Sequence, residues 1–79
     1  MHKDTNNDLV VLGERIRSAR TERGWNQEEL AYRCNLDRSY VGGIERGERN
    51  ITFWTLCKIA QGLDVSLSDL LTGLPRGKL

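Results

Sequence analysis

Apolar residues recur at spacings of three and four positions in five short stretches of the chain, with polar residues between them. This spacing places the apolar side chains on one face of a helix, so it predicts five amphipathic α-helices. The alternation typical of a half-buried strand does not occur. The predicted inward-facing residues, helix by helix, are Leu9, Leu12, Ile16 and Ala19; Leu30, Ala31 and Cys34; Tyr40, Val41 and Ile44; Phe53, Leu56, Ile59, Ala60 and Leu63; and Leu67, Leu70 and Leu71.

Residues that favour helix ends bracket these stretches. An oxygen-bearing side chain precedes each one and can accept a hydrogen bond from the free N–H groups of the first turn. The predicted N-caps are Asp8, Asn26, Asp37, Thr52 and Ser66. Glu29 and Asp69 stand three residues after their caps, which approximates a capping box. The predicted stops are Gly24, Gly47, and Gly73 with Pro75. The short connections predict one all-α domain over residues 8–73, between a flexible N-terminal tail at 1–7 and a C-terminal tail at 74–79.

Composition removes several classes of function. The formal net charge is only +1, so any basic surface must come from how the charges are arranged. No apolar run approaches the roughly 20 residues that cross a bilayer, and the polar start is unlike a signal peptide, so we expect a cytoplasmic protein without a membrane partner. Cys34 and Cys57 lack metal-ligand spacing and are expected to be buried free thiols, with no metal or cofactor. Without clustered carboxylates or a phosphate-binding loop, an enzyme is not expected.

Residues 27–46 combine the features required by two helices that a tight turn joins. Ala31 supplies a small side chain where the helix backbones approach closely, and Asn35 tolerates the positive φ that the turn needs. Leu36, Val41 and Ile44 follow at the spacing that holds the two helices together. The five residues predict a helix-turn-helix whose second helix enters the major groove of DNA.

The segment resembles the helix-turn-helix of the lambda-repressor-like, or XRE, family of bacterial and phage regulators. The similar segments are QEELA at 27–31, SYV at 39–41, IERG at 44–47 and VSLSDLL at 65–71. The family usually has glycine at the turn position that Asn35 occupies here. Within the family, NLDRSY at 35–40, GIER at 43–46 and RNIT at 49–52 are similar to controller proteins of restriction–modification systems. The resemblance implies a five-helix lambda-repressor-like domain and, for a controller protein, a small homodimer without an effector domain.

The second helix of the motif carries the predicted DNA contacts. Its first turn points into the groove, so Arg38, Ser39 and Tyr40 are the predicted base-reading residues. The alternatives are that Arg38 is a solvated surface residue and that Tyr40 packs against the turn. Gly42 and Gly43 face the DNA, and we hypothesise that they permit close approach to the groove, with neutral drift as the alternative. The predicted backbone or groove contacts are Gln27, Gly43, Arg46, Arg49, Asn50 and, more weakly, Thr52.

Two further sets of residues have predicted structural roles, one within the domain and one between two copies of it. The resemblance implies a partly buried ion pair between Arg20 and Glu45, which would make Glu45 structural and not a DNA contact. A module of this size reads few base pairs, so we expect a two-fold dimer. Its predicted surface comprises apolar residues that exceed what so small a core can bury, namely Phe53, Trp54, Leu67, Leu71 and Leu74. The alternative for Trp54 is that it lies partly exposed or covers the edge of the domain.

The leading hypothesis is a homodimeric transcriptional regulator that binds an inverted-repeat operator in double-stranded DNA. A restriction–modification system and the protein's own promoter are the candidate targets. The alternative is an antitoxin-type interaction module, whose main partner is a toxin protein, and co-purification with such a protein distinguishes the two. No ligand domain is recognisable, so a small-molecule effector is not expected.

Overall fold

The computed structural model describes residues 7–76, which fold into five α-helices and contain no strand. The helices are α1 (Asn7–Glu22), α2 (Gln27–Cys34), α3 (Arg38–Glu45), α4 (Phe53–Leu63) and α5 (Leu67–Leu71). Helix α2 packs against α3 and α4, while α1 packs against α3, α4 and α5. This arrangement confirms the predicted all-α class for the described part of the chain.

Most of the helix starts lie where the cap residues predict them. A side-chain oxygen accepts a hydrogen bond from the first turn at Asn26, Asp37, Thr52 and Ser66. Asp69 completes a capping box with Ser66, whereas the Glu29 carboxylate accepts a hydrogen bond from Arg33 at 2.7 Å. The prediction that Asp8 caps α1 is wrong, because the helix already includes Asn7. Asp8 lies in the first turn, and its Oδ1 accepts a hydrogen bond from the backbone N–H of Arg76 at 2.7 Å.

All five helices contribute to one hydrophobic core. Its buried apolar residues are Leu12, Ile16, Leu30, Ala31, Cys34, Val41, Ile44, Leu56, Ile59, Ala60, Leu63 and Leu70. Two residues predicted to face inward belong neither to this core nor to the partly buried residues that pack against it. Phe53 is 70% exposed, because it is the first residue of α4 and lies at the edge of the core, and Leu9 near the start of α1 is only half-buried. Helix periodicity therefore identifies the buried face but not how far along the helix burial extends.

The predicted tails are described only in part. Residues 1–6 and 77–79 lie outside the described residues. Asn7, which we expected in the N-terminal tail, belongs to α1. In the predicted C-terminal tail, Leu74 packs against the core and the Arg76 amide bonds to Asp8. The described parts of both termini thus meet at the start of α1.

Helix α1 crosses α3 at Gly13. A β-carbon at this position would lie 2.5 Å from the backbone carbonyl oxygens of both Ile44 and Glu45. Glycine is therefore required for the two backbones to come this close. The contact brings the end of α3 onto α1, where the charged residue Arg20 is also buried.

The two cysteines are free thiols in different surroundings. Cys34 is buried, as expected, and burial raises the pKa of its thiol to about 11. Cys57 is only half-buried, which corrects the expectation for that residue. Over residues 7–76, no helix is long and apolar enough to span a membrane.

Candidate nucleic-acid interface

The turn between α2 and α3 has the geometry that the sequence predicts. Asn35 adopts the left-handed conformation, with φ 57° and ψ 49°. This conformation lets the N–H of Leu36 donate to the carbonyl oxygen of Ala31 at 2.9 Å, which closes the end of α2. The chain then enters α3 two residues later, with Leu36 packed against the core. The turn sets α3 against α2 and leaves its first turn at the surface.

The first turn of α3 is capped by Asp37. The Oδ2 atom of Asp37 accepts a hydrogen bond from the backbone N–H of Ser39 at 3.0 Å and another from the Ser39 hydroxyl. These two hydrogen bonds, the hydroxyl first, hold the pKa of the Asp37 carboxyl below its usual value. Arg38 and Ser39 are exposed beside the cap. Two of the three predicted base-reading residues are therefore exposed to solvent on a capped helix start.

Tyr40 differs from the two residues before it. It is half-buried and packs against the core. Its ring also faces the loop that follows α3, where the guanidinium carbon of Arg49 lies 5.5 Å from the ring centre. This distance suits a cation–π contact. Tyr40 thus joins the core to a side chain of the candidate interface.

The far end of α3 is held by a buried ion pair. Arg20 donates to Glu45 through Nε at 2.7 Å and through Nη2 at 3.0 Å, and the two side chains are only 11% and 3% exposed. Arg20 also donates from Nη1 to the carbonyl oxygen of Trp25 at 2.8 Å, and Gln27 donates to Glu45 at 3.0 Å. The hydrogen bonds to Glu45 raise the pKa of Arg20. The network ties α1, the start of α2 and α3 together.

Glu45 therefore has three hydrogen-bond donors that sequence reasoning identified only in part. The contribution of Gln27, which we expected to contact phosphate, has no signal in the sequence. It depends on the start of α2 lying beside the end of α3. Gln27 also lines a surface depression with Arg20, Asn26, Glu28 and Arg38. Gln27 therefore contacts the buried ion pair and, at the surface, shares a depression with Arg38.

The remaining predicted DNA contacts cluster in the loop after α3. Arg46 and Arg49 are exposed, as is Asn50. Arg46 pairs with Glu48 at 3.1 Å, but both side chains are about three-fifths exposed, at 60% and 59%. The Oγ1 atom of Thr52 accepts a hydrogen bond from the Thr55 N–H and donates one to the Thr55 hydroxyl, so Thr52 serves as a helix cap. The outer face of α3 is the solvent-exposed side of the helix that carries Arg38 and Ser39. The arginine and asparagine side chains of the following loop border this face.

The predicted dimer residues fall into two groups. Phe53 and Trp54 are adjacent at the start of α4 and are 70% and 69% exposed. Leu67, Leu71 and Leu74 pack against the protein's own core and are only partly exposed. The two aromatic residues are therefore the ones that the core leaves largely unburied, whereas the three leucines are mostly accommodated by it. Tyr32 on α2 is also exposed, at 83%, although the sequence analysis did not single it out.

The helix-turn-helix family model matches residues 16–70, which span all of the motif and most of the described structure. The chain therefore belongs to the helix-turn-helix family, and this family and the relatives described below are DNA-binding transcriptional regulators and not enzymes. This match confirms the resemblance seen in the sequence and the lambda-repressor-like fold class.

Restriction–modification controller proteins are among the most similar relatives. The control protein C.BamHI of Bacillus amyloliquefaciens is 40% identical over 68 residues, which cover 85% of this chain and 84% of that protein. The crystal structure of the controller protein C.AhdI from Aeromonas hydrophila has a TM-score of 0.79 and 48% identity, covering 81% of this chain and 97% of that one. The structure of C.Esp1396I bound to a 19 base pair DNA duplex has a TM-score of 0.73 and 45% identity, covering 78% and 83%.

Proposed function

We propose that the protein is a homodimeric transcriptional regulator that binds an inverted-repeat operator in double-stranded DNA and controls a restriction–modification system and its own promoter. The observation that carries the proposal is the outer face of α3, where Arg38 and Ser39 are exposed beside the Asp37 cap. The similarity to C.BamHI and C.AhdI supports the link to restriction–modification. Because the target is DNA, we propose that the protein acts in the cytoplasm.

Direct reading of the bases is assigned to the first turn of α3. Arg38 can form a bidentate contact with guanine, and loss of such a contact costs about 1–3 kcal/mol of discrimination. Ser39 can donate or accept a hydrogen bond at a base edge, although its hydroxyl donates to Asp37 in the free protein. Tyr40 contributes the exposed part of its half-buried ring. The narrow set of readers is the reason that two copies are needed for useful affinity.

Contacts with the phosphate backbone or the groove are assigned to residues that precede and follow α3 in the chain. Gln27 and the free N–H groups at the start of α2 border the surface depression that Arg38 also lines, and such helix starts attract anions. Arg46, Arg49 and Asn50 lie in the loop that follows the helix, with Thr52 as a weaker candidate. The Arg46–Glu48 pair and the net charge of +1 support a moderate dependence of affinity on salt.

Dimer formation is assigned to α4 and α5. The exposed aromatic pair Phe53–Trp54 provides an apolar centre, and tryptophan and phenylalanine are enriched at protein interfaces. Leu67, Leu71 and Leu74 supply further partly exposed apolar surface. In a two-fold dimer, two copies of α3 would read half-sites about one helical turn, roughly 34 Å, apart.

The DNA proposal is tested by footprinting the protein on the DNA upstream of its own gene and by measuring affinity for the protected duplex. We expect protection of an inverted repeat, and a loss of roughly tenfold in affinity for Arg38→Ala. Arg17→Ala is the matched control, because Arg17 is exposed on α1 and belongs to none of the assigned contacts. Uniform binding to unrelated duplexes, or equal losses in both variants, would contradict the proposal.

The dimer proposal is tested by sedimentation equilibrium. We expect the wild-type protein to be dimeric and a variant with both Phe53→Ser and Trp54→Ser to be monomeric. Tyr32→Ser is the control, since Tyr32 is an even more exposed aromatic residue outside the proposed interface. A monomeric wild-type protein at micromolar concentration, or dimer loss with Tyr32→Ser, would count against this interface.

A further inference from the structure

Gly42 and Gly43 of α3 are buried, although the neighbouring residues Arg38, Ser39 and Arg46 are exposed. The atoms that cover them belong to side chains. A β-carbon on Gly42 would lie 3.1 Å from Nη1 of Arg46 and 3.4 Å from Oε1 of Gln27. A β-carbon on Gly43 would lie 3.1 Å from both Cγ and Nε of Arg49. Two arginine side chains therefore lie over the bare backbone of the two glycines.

The chain after α3 folds back in a way that brings Arg49 to this position. The N–H of Glu48 donates to the carbonyl oxygen of Gly43 at 2.9 Å, which turns the chain back over the last turn of the helix. The guanidinium carbon of Arg49 then lies 5.5 Å from the centre of the Tyr40 ring. Arg49 is consequently in contact with Gly43 along its stem and with Tyr40 at its charged end.

We propose that Gly42 and Gly43 are positioning residues, which give the side chains of Arg46 and Arg49 their place on the outer face of α3. Arg49 then determines specificity as part of one reading surface with Arg38. The inference rests on the proposed function and deepens it. It differs from the hypothesis that the glycines permit close approach of the helix to the groove, because arginine side chains fill the space above both glycines in the free protein.

The physical advantage of this arrangement is preorganisation. A long, flexible side chain loses conformational entropy when it contacts a base, and the loss is smaller when the side chain is already held in place. The planar guanidinium of arginine suits guanine, with two donors in a fixed geometry. Contact with Gly43 and Tyr40 restricts Arg49 before DNA arrives. Two adjacent glycines lower the helix propensity of α3, so this arrangement costs folding stability in the free protein.

A double-mutant cycle tests the role of Gly43. Affinity is measured by fluorescence anisotropy on a duplex that the wild-type protein selects from a random pool, at one fixed salt concentration. We expect Gly43→Ala to weaken binding roughly tenfold when Arg49 is present and less than about twofold in an Arg49→Ala background. Equal losses in both backgrounds would mean that the added methyl group meets the DNA itself, and would overturn the proposal. The absence of any loss would also overturn it.

Gly42→Ala provides the matched control for the cycle. Gly42 faces Arg46 and Gln27, so its effect on affinity should be the same with and without Arg49. Circular dichroism establishes that the variants fold. Gly43→Ala should retain or raise the thermal midpoint, because alanine favours the helix and the added carbon meets only a flexible side chain.

A measurement without DNA separates this inference from the proposed function. In an NMR spectrum of the free protein, the Nε–Hε signal of Arg49 should be displaced by the ring current of Tyr40. Both Tyr40→Leu and Gly43→Ala should move it toward the value of an unstructured arginine. An unstructured value in the wild-type protein overturns the inference even if DNA binding is intact. If the wild-type protein selects no duplex, the proposed function itself fails.

Discussion

Two arginine–carboxylate pairs lie at the end of α3, one buried and one exposed to solvent, and they behave differently. Arg20 and Glu45 form two short hydrogen bonds in the interior of the protein, with side chains 11% and 3% exposed. Arg46 and Glu48 form a single contact of 3.1 Å in the loop, with side chains 60% and 59% exposed. In the buried pair each group is the main partner of the other, whereas water can replace either partner of the exposed pair.

Two of the glycines differ in a similar way, namely in whether the atoms that an added β-carbon would meet can move. Gly13 faces backbone carbonyl oxygens at 2.5 Å, which cannot move without separating α1 from α3. Gly43 faces the side chain of Arg49 at 3.1 Å, which can move. Similar residue types thus have different roles: the buried ion pair and the backbone contact at Gly13 determine stability, whereas the arginine side chains at the surface can move and are available for recognition.

The largest expected effect is on the buried pair. Glu45→Ala should lower the free energy of unfolding by about 3–5 kcal/mol, because it leaves the Arg20 guanidinium buried without its carboxylate. Urea denaturation followed by circular dichroism measures this change. Glu48→Ala is the matched control and should change the value by at most about 1 kcal/mol. If Glu45→Ala left stability unchanged while it altered DNA binding, Glu45 would be a DNA contact and not a structural residue.

A smaller effect is expected for the glycine contrast. Gly13→Ala should destabilise the protein by about 1–3 kcal/mol or more, because the added carbon overlaps the carbonyl oxygens of α3. Gly43→Ala should instead stabilise it by up to about 1 kcal/mol through helix propensity. Thermal unfolding of the two variants provides the comparison. A thermal midpoint that does not fall in Gly13→Ala would show that α1 and α3 have room to separate without loss.

The smallest effect concerns the exposed cap of α3 and its dependence on pH. The pKa of Asp37 lies below its usual value of 3.8 because the ionised carboxylate accepts hydrogen bonds from Ser39. Its contribution to stability is therefore complete above about pH 4 and is lost as the pH falls through the lowered pKa. We expect Asp37→Asn, which keeps a capping side chain, to have a flatter stability profile below pH 4 than the wild type. Parallel profiles in acid would disprove this role.

The exact residues that form the local features of the fold could be predicted from the sequence. Asn26, Asp37, Thr52 and Ser66 cap helices, and Asn35 has positive φ, because these interactions join groups within a few positions along the chain. The failures lie where the position relative to a distant element matters. Asp8 lies inside α1, where its carboxylate accepts a hydrogen bond from the Arg76 amide 68 positions away, and Phe53 is exposed although it belongs to the same apolar stripe as the buried Leu56.

The sequence by itself determined the five amphipathic helices, the helix-turn-helix and the family to which the chain belongs, since spacing and capping chemistry act over one or two turns. Only the tertiary structure decided that Gly13 touches α3, that Gln27 joins Arg20 at Glu45, and that arginine side chains cover Gly42 and Gly43. The Arg20–Glu45 contact joins residues 25 positions apart. Such contacts depend on how the helices pack, and a pattern of apolar and polar residues does not specify which polar atoms then meet.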